Sequence, residues 1–246
     1  MHYPVTLHLG NASLHIHLIF EILAYTIGYR FYVYLRKNTY DPISEDNRMW
    51  IFIGAAFGAF LGSHILGVLE RPDQWHRMDL LYFMGNKTIV GGFLGGLVGV
   101  EMTKKMLKIT TSSGDLMTFP LILGLIIGRI GCHLEGLEDG TFGVASALPW
   151  AIDFGDNIRR HPVNLYEILY LFALAFLIFK VEKKRPLSNG GRFKLFMVGY
   201  LLYRFLIEFI KPNYTFSFGL GAIQIACILG LLYYWRFFKG MMNDKL

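Results

Sequence analysis

Apolar residues in this chain come in long unbroken runs separated by short polar breaks. Strands would alternate, and a soluble helix would carry only a stripe, so neither explains the pattern. Seven runs approach the roughly 20 residues that cross a bilayer as a helix: about 15–35, 49–69, 88–107, 116–134, 163–181, 194–211 and 215–238. The third, around Val90-Gly-Gly-Phe-Leu-Gly-Gly-Leu-Val-Gly-Val100, is rich in glycine. That density either lets helix backbones approach closely or marks a broken helix lining a cavity. Two longer polar segments remain, about 70–87 and 135–162. The second contains Pro149-Trp-Ala-Ile-Asp-Phe154, compatible with a short strand, followed by the turn-like Gly155-Asp-Asn157. The pattern predicts an all-α membrane protein: one integral domain over 1–246, with seven transmembrane helices and a small extracytoplasmic cap built from those two segments.

Composition agrees. Of 246 residues, 54% are hydrophobic and only 17% charged, against about a quarter charged in soluble domains. The net charge of +6 does not point to nucleic acid, because the cations sit at the ends of apolar runs. They concentrate in alternate loops, for example Lys104, Lys105 and Lys108, and Lys183, Lys184 and Arg185. The positive-inside rule then places the N-terminus outside and the C-terminus in the cytoplasm. No basic stretch precedes the first apolar run, so that run is expected to stay as a span rather than to be cleaved. The two cysteines, Cys132 and Cys227, suggest neither a disulfide framework nor a metal site, and no cofactor motif is present.

Within the runs, ionisable residues stand out. Arg129 ends the apolar stretch Phe119–Gly128, and Arg204 lies inside Gly199–Glu208. A guanidinium cannot shed its charge, and at membrane depth it costs roughly 2.5–3.5 kcal/mol on insertion scales. Something anionic must face it, and two such residues suggest an anionic lipid. Arg204 and Glu208 are four apart and so share a helical face; they either neutralise each other or hold a ligand together. Arg129 has Leu125 four residues back, so its partner is a loop carbonyl, Glu135 or a phosphate, which Arg grips bidentately. His133 shares the Arg129 face if the helix continues through Gly131. Cys132 would be a nucleophile only beside a base, and His133 points elsewhere on a helix. Glu21, among Phe20 and Ile22, is either a functional carboxylate or a counter-ion for Arg129 or Arg204. His161, Asn164 and Glu167, around a helix start at Pro162, either dock that helix or face a cavity.

Four segments, in this order and in these spans, resemble the prolipoprotein diacylglyceryl transferase family. Gly91-Gly92 and the glycines after it are similar to its His-Gly-Gly element. Gly128-Arg-Ile-Gly131 resembles the start of its signature, Arg160-His-Pro-Val-Asn-Leu-Tyr-Glu167 its conserved loop and helix start, and Gly199-Tyr-Leu-Leu-Tyr-Arg-Phe-Leu-Ile-Glu208 its sixth helix. The chain departs at several places. Val90 stands where the family has histidine, Cys132 where it has asparagine, Leu137 where it has glutamate, and Glu21 where its first helix has tyrosine.

The resemblance implies a multi-pass protein of the bacterial plasma membrane. It implies transfer of the diacylglyceryl group of phosphatidylglycerol, or another anionic phospholipid, to a cysteine thiol of a prolipoprotein signal peptide, with glycerol phosphate leaving. Arg129 and Arg204 would hold the phosphate and Glu208 would orient Arg204. The proton acceptor would be His133, Glu135, Glu21 or His161. Gly91, Gly92, Gly131, His161, Asn164 and Tyr203 would line the substrate, and Val90 would face a wet cavity. Two alternatives stay open: a paralogous transferase with another acceptor, and a lipid-binding or flippase-type protein without chemistry.

Overall fold

The computed structural model describes residues 3–9, 12–77 and 79–243. Among these, helices dominate: α1 (Ile16–Asn38), α2 (Glu45–Leu69), α3 (Leu80–Gly85), α4 (Ile89–Met106), α5 (Thr118–Glu135), α6 (Val163–Lys184), α7 (Gly191–Ile207) and α8 (Ala222–Asn243). Seven of them coincide with the seven apolar runs; α3 is a single short turn of the 70–87 segment. Polar caps set several starts. Ser44 Oγ accepts from the Asn47 amide, Asp79 from Tyr82 and Thr88 from Gly91. Cations close the last turns of α1 (Arg36, Lys37), α4 (Lys104, Lys105) and α6 (Lys183, Lys184), where the helix dipole favours them.

Among the described residues, four helices are long and apolar enough to cross a membrane: α1, α2, α5 and α6. The last turns of α4 carry Glu101, Lys104 and Lys105, and α7 has only 17 residues, so neither qualifies by length and composition. Large apolar side chains face outward along these helices. On α6 they include Leu169, Phe172, Phe176, Leu177 and Phe179, all more than half exposed. A face of that size is stable only against an apolar phase or a partner.

The chain divides into two compact units. The first comprises Met1–Tyr40, Ser113–Phe196 and Phe209–Pro212. Here α1 lies along α5, and α5 along α6. Small residues set the α1–α5 spacing: a Cβ on Gly131 would meet Phe20 Cβ at 2.7 Å and His17 Cδ2 at 3.4 Å. A hairpin of β1 (Thr6–Leu9) and β2 (Ala12–His15) precedes α1, in the register Thr6↔His15, and the Val5 amide bonds Leu134 O at the end of α5. The expected short strand in the second polar segment exists. It is β3 (Ile152–Asp153), paired with β4 (Arg159–Arg160) across a turn in which Gly155 and Asn157 have positive φ. Arg159 donates to the carbonyls of Pro149 and Ala151, and Arg160 to both oxygens of Asp156. The hydrogen bonds from Arg160 lower the pKa of the Asp156 carboxyl.

The second unit comprises Asp41–Ser112, Met197–Glu208 and Asn213–Leu246. The glycine-rich segment is a continuous helix, not a broken one. Gly54, Gly58 and Gly62 of α2 face Gly91, Gly95 and Gly99 of α4 so closely that a Cβ on any of them would stand 2.0–2.4 Å from the opposite helix. Backbones at that separation exclude side chains from the seam. Val90, next to this seam, has no solvent exposure. The expectation that it faces a wet cavity is therefore corrected: the side chain is fully buried in the packed helices.

Candidate functional site

Arg129 lies in the penultimate turn of α5, which continues unbroken to Glu135 and ends where Gly136 turns to φ +72°. Its guanidinium is 5% exposed, and Nε stands 3.0 Å from Oε1 of Glu167 on α6, itself 2% exposed. Glu167 is thus an anion that faces Arg129, and the reading of the sequence had not named it as such. One turn before Glu167 on the same face is Asn164, 1% exposed, whose Oδ1 has no hydrogen-bond partner among the described residues. A buried amide oxygen left so is costly, about 1–3 kcal/mol, and suits a donor supplied by a ligand.

Beyond Arg129 a second cluster forms. Arg129 Nη1 donates to Cys132 Sγ at 3.7 Å. Cys132 Sγ is 3.6 Å from His17 Nε2, and that nitrogen is 3.5 Å from Asp139 Oδ1. His17 opens α1, and Gly131 is what lets α1 come close enough to place its ring there. Glu135 is buried; it bonds His15 Nδ1 at 2.8 Å through Oε1, and its Oε2 has no partner among the described residues. His133 turns away from Cys132 and packs edge-on against Tyr3 and Phe154, with ring centroids 6.0 and 5.8 Å away. Glu21 is half-buried, one turn beyond His17 and on its face.

His161 closes the cap. Its Nδ1 lies 3.2 Å from Tyr166 Oη, which already accepts from Trp150 Nε1 at 2.7 Å. The tyrosine hydroxyl thus links His161 to Trp150 across the cap.

In the second unit, Arg204 and Glu208 pair four residues apart at 2.5 Å, both nearly inaccessible. Asn213 Nδ2 also donates to Glu208. Tyr203 is half-buried beside them in α7. Glu208 and Asn213 line a small crevice with Glu70, Tyr214 and residues 221–224. Gly91 belongs to the α2–α4 seam, 2.2 Å from Gly62 O at its Cβ position; Gly92 has more room, with Ser63 Cβ nearest at 3.8 Å. Gly91 thus serves helix packing.

Reading the sequence missed Glu167 as the partner of Arg129, and missed His15, His17 and Asp139 altogether. A signal existed. In the expected alternation of spans, the start of the first and the end of the fourth would lie at the same side of the bilayer, which would put His15 and His17 level with 132–139.

A family model described as prolipoprotein diacylglyceryl transferase matches residues 4–238. The chain is similar to the phosphatidylglycerol–prolipoprotein diacylglyceryl transferase of Methylobacillus flagellatus, 29% identical over 242 residues, covering 92% of this chain and 89% of the relative. It is also similar to the protein of that name from Wolbachia pipientis wMel, 30% identical over 234 residues, covering 87% and 84%.

Proposed function

We propose that this chain, which belongs to the prolipoprotein diacylglyceryl transferase family, moves the diacylglyceryl group of phosphatidylglycerol onto a cysteine thiol of a prolipoprotein signal peptide. The thiol sulfur attacks the glycerol carbon that carries the phosphate ester. A C–S bond forms, the C–O bond breaks, and glycerol phosphate leaves with its charge. The observation that carries this reading is Arg129, a permanent cation held by Glu167 in a nearly dry place. The ion pair fixes the Arg129 guanidinium in place, and a fixed guanidinium matches the geometry of a phosphate. In the second unit Arg204, paired with Glu208, is a further buried guanidinium of the kind that binds phosphate. Fixed donors of this kind stabilise charge that develops in the transition state. Asn164 is placed to receive a glycerol hydroxyl.

In this reading all seven long helices span the bacterial plasma membrane, with the N-terminus outside and the C-terminus in the cytoplasm. The 70–87 and 135–162 segments cap the outer end, and the lipid enters sideways from the bilayer. Glu135 is the preferred proton acceptor. It is buried, held by His15 and close in sequence to Cys132, whereas His133 is packed between aromatic rings.

The test uses the purified chain with labelled phosphatidylglycerol and a peptide carrying a signal-peptide cysteine. Glycerol phosphate and lipidated peptide are expected together, and Arg129→Ala or Arg204→Ala should abolish both while the protein still inserts. Full turnover by Arg129→Ala overturns the phosphate assignment. Lipid binding without release of glycerol phosphate, whatever thiol is offered, overturns the transfer.

A further inference from the structure

Three unlike donors converge at the end of α5: His17 Nε2, Cys132 Sγ and Asp139 Oδ1, all within 4.8 Å of one another. Two readings compete. In a nucleophilic triad the histidine accepts from the thiol with one ring nitrogen and donates to the carboxylate with the other. Here a single nitrogen, Nε2, faces both the sulfur, at 3.6 Å, and the carboxylate, at 3.5 Å. That nitrogen carries either a proton or a lone pair, so it cannot serve both neighbours as a relay. A cation between the three satisfies all of them at once.

The spacing fits one ion class. Zinc sits about 2.0–2.1 Å from histidine nitrogen, 2.3 Å from thiolate sulfur and 2.0–2.2 Å from carboxylate oxygen. At tetrahedral angles those lengths put N and S about 3.5 Å apart, and N and O about 3.4 Å apart. The separations of His17 Nε2 from Cys132 Sγ, 3.6 Å, and from Asp139 Oδ1, 3.5 Å, match these two edges before any ion has drawn the ligands in. A histidine, thiolate and carboxylate set also selects a borderline-soft divalent metal over magnesium or calcium.

Charge and surroundings agree. A thiolate and a carboxylate neutralise a dication, and the neighbouring Arg129 has its own carboxylate in Glu167. The Arg129 N–H directed at Cys132 Sγ is the kind of outer contact that orients a ligating sulfur. Asp139 Oδ2 is buried and has no hydrogen-bond partner among the described residues, leaving the carboxylate able to swing onto an ion.

We propose that His17, Cys132 and Asp139 form a binding site for a zinc-class divalent cation, with the fourth coordination position open to an external ligand. Three protein ligands and an open position are the pattern of reactive rather than structural zinc. Resting on the transfer reading above, the external ligand is the acceptor thiol. Coordination lowers the thiol's pKa so that its proton passes to Glu135, the acceptor in that reading, and holds the sulfur as thiolate beside Arg129, which supplies activation that an apolar Val90 cannot.

The experiment uses the full chain purified in detergent, stripped with chelator and reloaded with Zn2+ or Co2+. Stoichiometric zinc by elemental analysis is expected, with a thiolate-to-cobalt charge-transfer band that Cys132→Ser abolishes and His17→Ala weakens at least tenfold in metal affinity. Adding a cysteine-bearing signal peptide to the cobalt form should intensify that band; its serine analogue should not. If Cys132→Ser does not fold, alkylation of the parent protein decides: Zn2+ should slow labelling of Cys132 and leave Cys227 unchanged. No thiolate band in folded, reloaded protein, or equal labelling of Cys132 with and without Zn2+, overturns the site. A band indifferent to the peptide overturns the thiol ligand alone. Because these readouts need no turnover, they stand apart from the glycerol phosphate assay: metal without transfer sinks the transfer reading, and transfer at full rate in chelated protein sinks the metal's role.

Discussion

Replacing Glu167 with alanine tests how Arg129 is held. The two groups meet at 3.0 Å with side chains 6% and 3% exposed. With an effective dielectric of about 20, a pair at that separation attracts by about 5 kcal/mol. Burying both ions costs several kcal/mol each, so the net worth of the pair is small. Removing one partner is different, because the guanidinium stays charged and buried without that carboxylate, at a cost of about 3–5 kcal/mol. Domains of this size are stable by about 5–15 kcal/mol, so Glu167→Ala should lower the unfolding midpoint sharply. The double variant Arg129→Met/Glu167→Leu removes both charges and keeps volume; it should recover most of that loss. Thermal unfolding in detergent, followed by tryptophan fluorescence, measures all three proteins, and the glycerol phosphate assay runs beside it. Expected is a stable but inactive double variant. If the two single changes add in the double variant instead of cancelling, Arg129 and Glu167 are not coupled and the pairing argument fails.

Other outcomes follow from the same geometry. Gly95→Ala should destabilise, because its Cβ would stand 2.2 Å from Gly58 O; overpacking of about 1–3 kcal/mol exceeds a helix-propensity gain of at most about 1 kcal/mol. Gly96→Ala, whose nearest neighbours lie at 3.5 Å, should be neutral or stabilising in the same melt, and a loss equal to that of Gly95→Ala would refute the seam. Val90→His should lower stability rather than restore activity, since an imidazole placed where exposure is 0% gains no solvent; a folded, faster enzyme would contradict the dry packing. Asp156 has a carboxyl pKa lowered from 3.8 by Arg160. A lowered value stabilises the cap hairpin above the unfolded pKa and is lost as pH falls through the folded one. Asp156→Asn should therefore reduce amide protection of β3 and β4 at neutral pH and make no difference in strong acid, as hydrogen exchange would report.

The sequence by itself determined what depends on local periodicity. Runs of apolar residues gave seven long helices, Gly155-Asp-Asn157 gave the turn of the β3–β4 hairpin, and the pairing of Arg204 with Glu208 followed from their spacing of four. It also showed that Arg129 needed an anion. It did not show which one, because that depended on which face of α6 meets α5, and tertiary packing chose Glu167. The same holds for His17, which reaches Cys132 across 115 residues only because Gly131 lets α1 and α5 touch. Val90 is the converse case. Its glycine neighbours were legible as either seam or cavity, and only the packed structure shows the side chain fully buried. A helix repeats every 3.6 residues whatever surrounds it, whereas contact between helices is fixed by where small residues allow backbones to meet, and one chain's local pattern does not say which faces will do so.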